Sequence, residues 1–296
     1  MKFVTVAIDG RETLGVIAPH GIVLVETINR VFGTRWSTEL FQLLQDGEWE
    51  TFRNWFHQTA ASSIVELEAQ AEEALKLAPL YRHPRKIWGV GFNYAADEEA
   101  LAAADRSEEP VGFMKPDTSL IGYGESIVIP PQSGRVIAEA ELAIVIGRVC
   151  RDVEESDVAS YIAGYATVLD IGADDIHGRN PRFLTRSKSF DTFFSFGPEL
   201  LTPDEVVDVS KLVVSTVLNG ERVSAKQVAL MRYRPEWIVS FHSKCMTLVP
   251  GDILMTGTPG AAVVRPGDQV ECRIDGFRPL RNPVRGGSEL PAMQGE

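Results

Sequence analysis

The 296-residue chain has little cysteine, and its three, Cys150, Cys245 and Cys272, stand far apart with no Cys-x-x-Cys pair. That spacing excludes a disulfide framework and a thiolate metal site. Each reads instead as a small buried hydrophobe. No apolar run approaches the length of a membrane span, and MKFVTVAIDG is too short and too polar for a secretory leader. Positive charge is also in deficit: 29 Lys and Arg stand against 41 Asp and Glu, a formal net charge of −12. Nucleic acid and anionic membrane both demand a basic face, so neither is expected as a partner. Basic residues do gather in GRNPRFLTRSK (178–188), which suits a small anionic molecule. Together these absences predict a cytoplasmic protein.

What is present is ordinary for a globular fold: 44% hydrophobic and 24% charged residues, with mean hydropathy −0.03. That is apolar enough to build a core without staples. The first segment reads as strands, FVTVAI and TLGVIAPHGIVLV, broken at Asp9-Gly10 and His20-Gly21. Two helical patterns follow, STELFQLLQ and SIVELEAQAEEALKLA, the second with Ser62 or Ser63 as N-cap. The Pro-containing connector LYRHPRK then marks a boundary near residue 80. This predicts a small N-terminal α/β domain over 1–80 and a larger domain over 81–296. Beyond Lys86 short apolar runs recur between Gly, Pro and Asp turns: KIWGVGF, SIVIP, ELAIVIG, YIAGYATVLD, LVVSTVLNG, DILMTG and QVECRI. The pattern is α+β and β-dominated, not alternating βαβ units. The tail GGSELPAMQGE reads as peripheral.

One strand-like run, AEAELAIVIG (138–147), carries two carboxylates among apolar residues. Strand side chains alternate faces, so Glu139 and Glu141 share a face with Ala143 and Val145, their Cβ atoms roughly 6–7 Å apart. Three arrangements accommodate such a pair. The strand end can be hydrated, the carboxylates can share a proton, or a hard divalent cation can neutralise them. Asp170 ends another apolar run, YIAGYATVLD, and offers a third carboxylate. A three-carboxylate face with positions left for water and substrate suits Mg²⁺. Asp174 and Asp175 read as a solvated loop.

Seven ordered blocks then resemble the fumarylacetoacetate hydrolase family across most of residues 86–284. They are KIWGVGFNY (86–94), VGFMKPDTSLIGYGESIVIP (111–130), EAELAIVIG (139–147), IAGYATVLD (162–170), KSFDTFFSFGP (188–198), LNGE (218–221) and VPGDILMTGTPG (249–260). The resemblance implies the family's mixed β-sandwich or roll as catalytic domain. It places Glu139, Glu141 and Asp170 at the family's ligands for Mg²⁺, with Mn²⁺ or Ca²⁺ as alternatives. It also implies a homodimer and a small 2-oxo or 1,3-dicarbonyl acid as substrate. A cation there is a Lewis acid that stabilises an enolate. That intermediate serves C–C bond hydrolysis, which leads the expectation, and equally decarboxylation or keto–enol isomerisation.

Lys188 falls at the family's active-site lysine, with Thr258 in the TGTPG turn and Tyr94 in the GxNY block as substrate contacts. Asp191 and Phe193 read as structural. Two departures bear on the reaction. Where family hydrolases and decarboxylases place a water-activating His and, three residues on, a Glu, this chain has Asp97 and Ala100, with Glu98 and Glu99 alongside. Asp97 and Glu99 are candidate bases, and equally the acids of a solvated helix start. Where the family has an Arg and then a Gln after the metal-binding Asp, this chain has Asp174 and His177. His177 is a candidate acid–base or binding group, since imidazole titrates near neutrality. Arg179, with Arg182 and Arg186, can supply the positive charge lost at Asp174. A repurposed member that binds metal without the family's chemistry is the remaining reading.

Overall fold

The computed structural model describes residues 1–105 and 107–287, so most of the GGSELPAMQGE tail lies outside the described residues. Strands β1 (Lys2–Ile8), β2 (Arg11–Ala18) and β3 (Gly21–Leu24) open the chain as an antiparallel meander. Three helices follow, α1 (Val25–Phe32), α2 (Leu40–Gln45) and α3 (Trp49–Trp55). Next come β4 (Lys76–Leu77), β5 (Ile87–Gly91), α4 (Glu98–Ala102), β6 (Val111–Lys115), β7 (Leu120–Ile121) and β8 (Ile127–Ile129). The two longest strands are β9 (Val136–Ile146) and β10 (Ile162–Ala173). Short helices α5 (Asp174–Arg179) and α6 (Leu184–Lys188) lead to β11 (Phe194–Leu201), β12 (Val213–Leu218) and β13 (Glu221–Gln227). The chain closes with α7 (Pro235–Cys245), β14 (Ile253–Met255), β15 (Ala261–Val264), β16 (Gln269–Ile274) and β17 (Leu280–Gly286).

The strands form one large sheet, ordered β3-β2-β1-β11-β10-β9-β14-β5-β6, and a five-stranded one, β13-β12-β16-β17-β8. The expected α+β, β-dominated class is therefore what the chain builds. β1 pairs antiparallel with β11, so the strands of the first segment extend the large sheet. Strand β9 is buried on both faces. Ala140, Leu142 and Ile144 meet Val214, Val270, Cys272 and Leu280 of the second sheet. Ala143 and Val145 join Leu43, Trp49 and Phe52 of the N-terminal helices. Burying a Leu or Ile side chain contributes ~1.5–3 kcal/mol, and β10 is buried at every position. This doubly covered pair is the rigid platform of the fold.

Four local expectations need correction. SIVELEAQAEEALKLA forms no α-helix; it makes 3₁₀ turns at Ile64–Glu66 and Glu72–Ala74 and then β4. Backbone pairing wins there: Gln70 exchanges hydrogen bonds with Ile22 at 2.8 and 3.0 Å, and Leu77 pairs with Val6. Helix propensity is only a weak preference against such tertiary pairing. VETINRVF is helical although the apolar pattern of the preceding strand runs on through Val25, and WETFRNW supplies a further helix that the pattern does not predict, while STELFQLLQ forms α2 as expected. Asp174 and Asp175 open α5 instead of lying in a loop. Both acids suit a helix start; Asp174 pairs with Arg135 at 2.6 Å, and Asp175 with Ser133 at 2.5 Å.

Candidate metal centre

Register decides where the acids go. In the β9–β10 ladder Glu139 stands opposite Asp170 and Glu141 opposite Val168, so all three carboxylates share one face. One ligand oxygen from each lies within 4.8 Å of the others. Asp170 and Glu141 are 1% and 2% exposed, and Glu139 is half-buried.

Two lysines reach this face from different elements. Lys188, at the end of α6, bridges Glu139 Oε2 and Asp170 Oδ2, the latter at 2.6 Å. Lys115, the last residue of β6, donates to Asp170 Oδ1 at 2.5 Å and to the Ile171 carbonyl at 2.9 Å, its side chain fully buried. Sequence reasoning misses Lys115, although a signal for it exists. Alternation in VGFMK puts Phe113 and Lys115 on the inner face, so that β6 carries a buried cation toward a buried anion.

The fourth support is backbone. β9 pairs with β15 near Glu139 and with β14 from Ala143 to Val145, leaving a gap in the ladder between them. Residues 256–260 turn within that gap, and the Gly257 N–H donates to Glu141 Oε2 at 2.6 Å. Gly257 has φ of +99°, and a Cβ there would sit 2.8 Å from the Asn93 side chain and 3.1 Å from the Val90 carbonyl. Only glycine brings an N–H this close. Asn93 fastens the opposite wall, donating to the Thr256 carbonyl at 2.7 Å and the Tyr233 carbonyl at 2.9 Å.

The electrostatics follow from burial and sign. Burial, then the neighbouring Asp170 and Glu139, pushes the Glu141 carboxyl well above its ordinary range. Burial alone would raise Asp170 too, but Lys115 and Lys188 outweigh it and hold Asp170 low. Burial pushes the Lys115 ammonium down to about 8 against the opposing pull of Asp170. It would also lower Lys188, but Asp170 and then Glu139 hold that group above its usual value. Three carboxylates face two ammonium groups. An all-oxygen donor set with an excess of negative charge, one member accepting a single hydrogen bond among the described residues, fits a hard divalent cation.

Of the other sequence candidates, Tyr94 is the one linked to this cluster, through the charge of Glu141. Tyr94 has a buried hydroxyl without a hydrogen-bond partner among the described residues; burial, then Glu141, pushes its pKa up. Thr258 lies in the 256–260 turn, its hydroxyl 3.2 Å from the Gly260 carbonyl. His177 is half-buried on α5, between Asp170 and Lys188 along the chain. Arg179 is exposed and pairs with Asp175 at 3.0 Å. Asp97 caps α4, accepting from the Ala100 N–H at 2.8 Å, and Glu99 is exposed on that helix.

Fold and site together define an α+β protein whose long strand pair presents a buried, lysine-braced carboxylate cluster. The chain belongs to the fumarylacetoacetate hydrolase family: residues 86–285 match the family description Fumarylacetoacetate (FAA) hydrolase C-terminal. The mitochondrial oxaloacetate tautomerase Fahd2a of Rattus norvegicus is 36% identical over 218 residues, 70% of this chain and 68% of that protein. A solved 5-carboxymethyl-2-hydroxymuconate delta-isomerase from Mycobacterium smegmatis is 28% identical with TM-score 0.75, covering 97% of this chain and 99% of its own. Maleylpyruvate hydrolase from Sphingobium sp. SYK-6, solved with manganese(II) and pyruvate, is 27% identical with TM-score 0.78, covering 97% of this chain and 100% of its own. Relatives named tautomerase, isomerase and hydrolase support an enzyme here. Among the described residues, no helix is long and apolar enough to cross a membrane.

Proposed function

We propose that the chain is a divalent-cation-dependent enzyme that interconverts the keto and enol forms of a small 2-oxo acid. The observation that carries this reading is the contrast between the buried carboxylate–lysine cluster and the exposed 97–100 segment. There Asp97 spends its carboxylate capping α4, where water-splitting relatives are expected to hold their base. Proton movement next to a carbonyl needs no activated water.

Glu139, Glu141 and Asp170 would hold the cation: Mg²⁺, with Mn²⁺ or Ca²⁺ as alternatives. Bound there, it acts as a Lewis acid on the oxo group. Lys188 offers an ammonium to the substrate's carboxylate or to its developing enolate oxygen. Thr258, Tyr94 and the N–H groups of the 256–260 turn orient the acid. His177 carries the proton, as the half-buried titratable group on the segment joining Asp170 to Lys188. Lys115 locks Asp170 in place. With all three carboxylates ionised, a doubly charged cation would take the cluster from one net negative to one net positive charge, which suits an anionic substrate.

C–C hydrolysis is the second reading. It is favoured by likeness to the maleylpyruvate hydrolase, and it needs Asp97 or Glu99 to activate water. A panel of oxaloacetate, acylpyruvates and 2-hydroxydienoates, followed by absorbance with and without Mg²⁺, separates the readings. Tautomerisation removes enol absorbance without releasing fragments, hydrolysis releases two acids, and decarboxylation releases CO₂. No Mg²⁺-dependent turnover on any member would overturn both readings. We also propose a homodimer in the cytoplasm, the first checked by light scattering and the second by fractionation.

A further inference from the structure

We infer that the Lys188 ammonium and the divalent cation are rivals for the same carboxylate oxygens, so that seating the cation releases Lys188 to receive the substrate's carboxylate. The inference rests on the reading that Glu139, Glu141 and Asp170 hold the cation. Octahedral Mg²⁺ holds oxygens at ~2.1 Å, which sets adjacent ligand oxygens roughly 3 Å apart. The three ligand atoms lie within 4.8 Å of one another, and a seated cation would set them at the octahedral spacing. What stands between two of them is the Lys188 Nζ, bonded to both Glu139 Oε2 and Asp170 Oδ2. The other Asp170 oxygen is already taken by Lys115.

A single positive charge wedged between two carboxylates is repelled when a double charge takes up the same lone pairs in a largely buried site. Lysine is suited to leave, since its ammonium rides on a flexible four-carbon stem. An aromatic face already adjoins it. The Phe113 ring lies 5.2 Å from Nζ, within range of a cation–π contact. Binding is therefore ordered: cation first, oxo-acid second. In the absence of cation Lys188 is spent on Glu139 and Asp170 and offers nothing to an anion.

Mn²⁺ calorimetry on the full chain, stripped of cation beforehand, tests this without any turnover. Lys188→Met keeps the bulk and removes the rival charge. We expect its Mn²⁺ affinity to rise about tenfold or more. Arg186→Met removes an exposed charge from the same helix, two residues away, and should leave the affinity within about twofold. Equal or weaker binding in Lys188→Met, or equal tightening in both variants, overturns the inference. Absence of Mn²⁺ binding by the unmodified chain fails the metal reading instead, so the two failures are distinguishable. Should Lys188→Met not fold, lysine-directed acetylation of the unmodified chain, mapped by mass spectrometry, gives the answer. Lys188 should be labelled several-fold faster with Mn²⁺ present, and an unchanged or slower rate overturns the proposal.

Discussion

Two stretches of this chain crowd acidic side chains, and they do opposite things with them. On β9 and β10 the acids are Glu139, Glu141 and Asp170, fixed by an antiparallel register and closed in by Lys115 and Lys188. At the start of α4 the acids are Asp97, Glu98 and Glu99, all exposed, with one of them capping the helix. Both stretches hold three carboxylates, so their number does not distinguish them. What distinguishes the first is that strand pairing takes away its water and supplies ammonium groups in return. Water screens the charges of the second, and its acids serve the helix end.

The largest effect that would break this contrast is loss of Asp170. Asp170→Ala leaves two buried lysines facing each other without their shared anion. We expect Mn²⁺ affinity to fall by ~100-fold or more in calorimetry. Global stability should drop by ~3–5 kcal/mol in denaturant unfolding, the usual consequence of breaking a buried pair. Lys115→Ala comes next, with a loss of about 3 kcal/mol and weakened Mn²⁺ binding, because one Asp170 oxygen loses its donor.

The pH dependence sharpens the contrast further. The Glu141 carboxyl sits above its usual range because of burial and then its acidic neighbours. Protonation therefore favours the fold below the ordinary glutamate range. That contribution is lost as pH rises through the raised value. A cation needs the ionised form, so protons compete with it at low pH. The rise in Tm caused by Mn²⁺ should be larger at about pH 8 than at about pH 5, approaching the equivalent of ~2.7 kcal/mol at a hundredfold excess over Kd. A rise independent of pH would show that Glu141 is no ligand.

The smallest effect belongs to the second stretch. Asp97→Ala removes an N-cap worth ~1 kcal/mol and should leave Mn²⁺ affinity unchanged. The double change Asp97→His with Ala100→Glu probes chemistry rather than stability. A gain of fragment release from acylpyruvates would show that this stretch, not the metal face, decides whether water is split.

The metal face is largely legible in the sequence. Period-two alternation sets Glu139 and Glu141 on one side, and the end of an apolar run singles out Asp170; both are local properties of a strand. The β-rich character after Lys86 is legible for the same reason. Lys115 is not, because its meaning arises only when β6 pairs with β5 and its inner face meets β10. Residues 63–78 mislead for the converse reason. Their composition favours helix, while Ile22 and β1 offer the backbone better partners. Gly257 reads as a turn, and its nearness to Glu141 comes from a ladder that changes partner midway along β9.

That change of partner has an engineering consequence. The five residues from Thr256 to Gly260 form an expansion joint: they span a seam between two short pairings, held to β9 where Thr256 donates to the Leu142 carbonyl. A protein designer can change Thr258 and Pro259 while Gly257 is kept and β14 and β15 stay zipped to β9. The bite of the acid pocket then becomes adjustable without rewriting the scaffold that carries it.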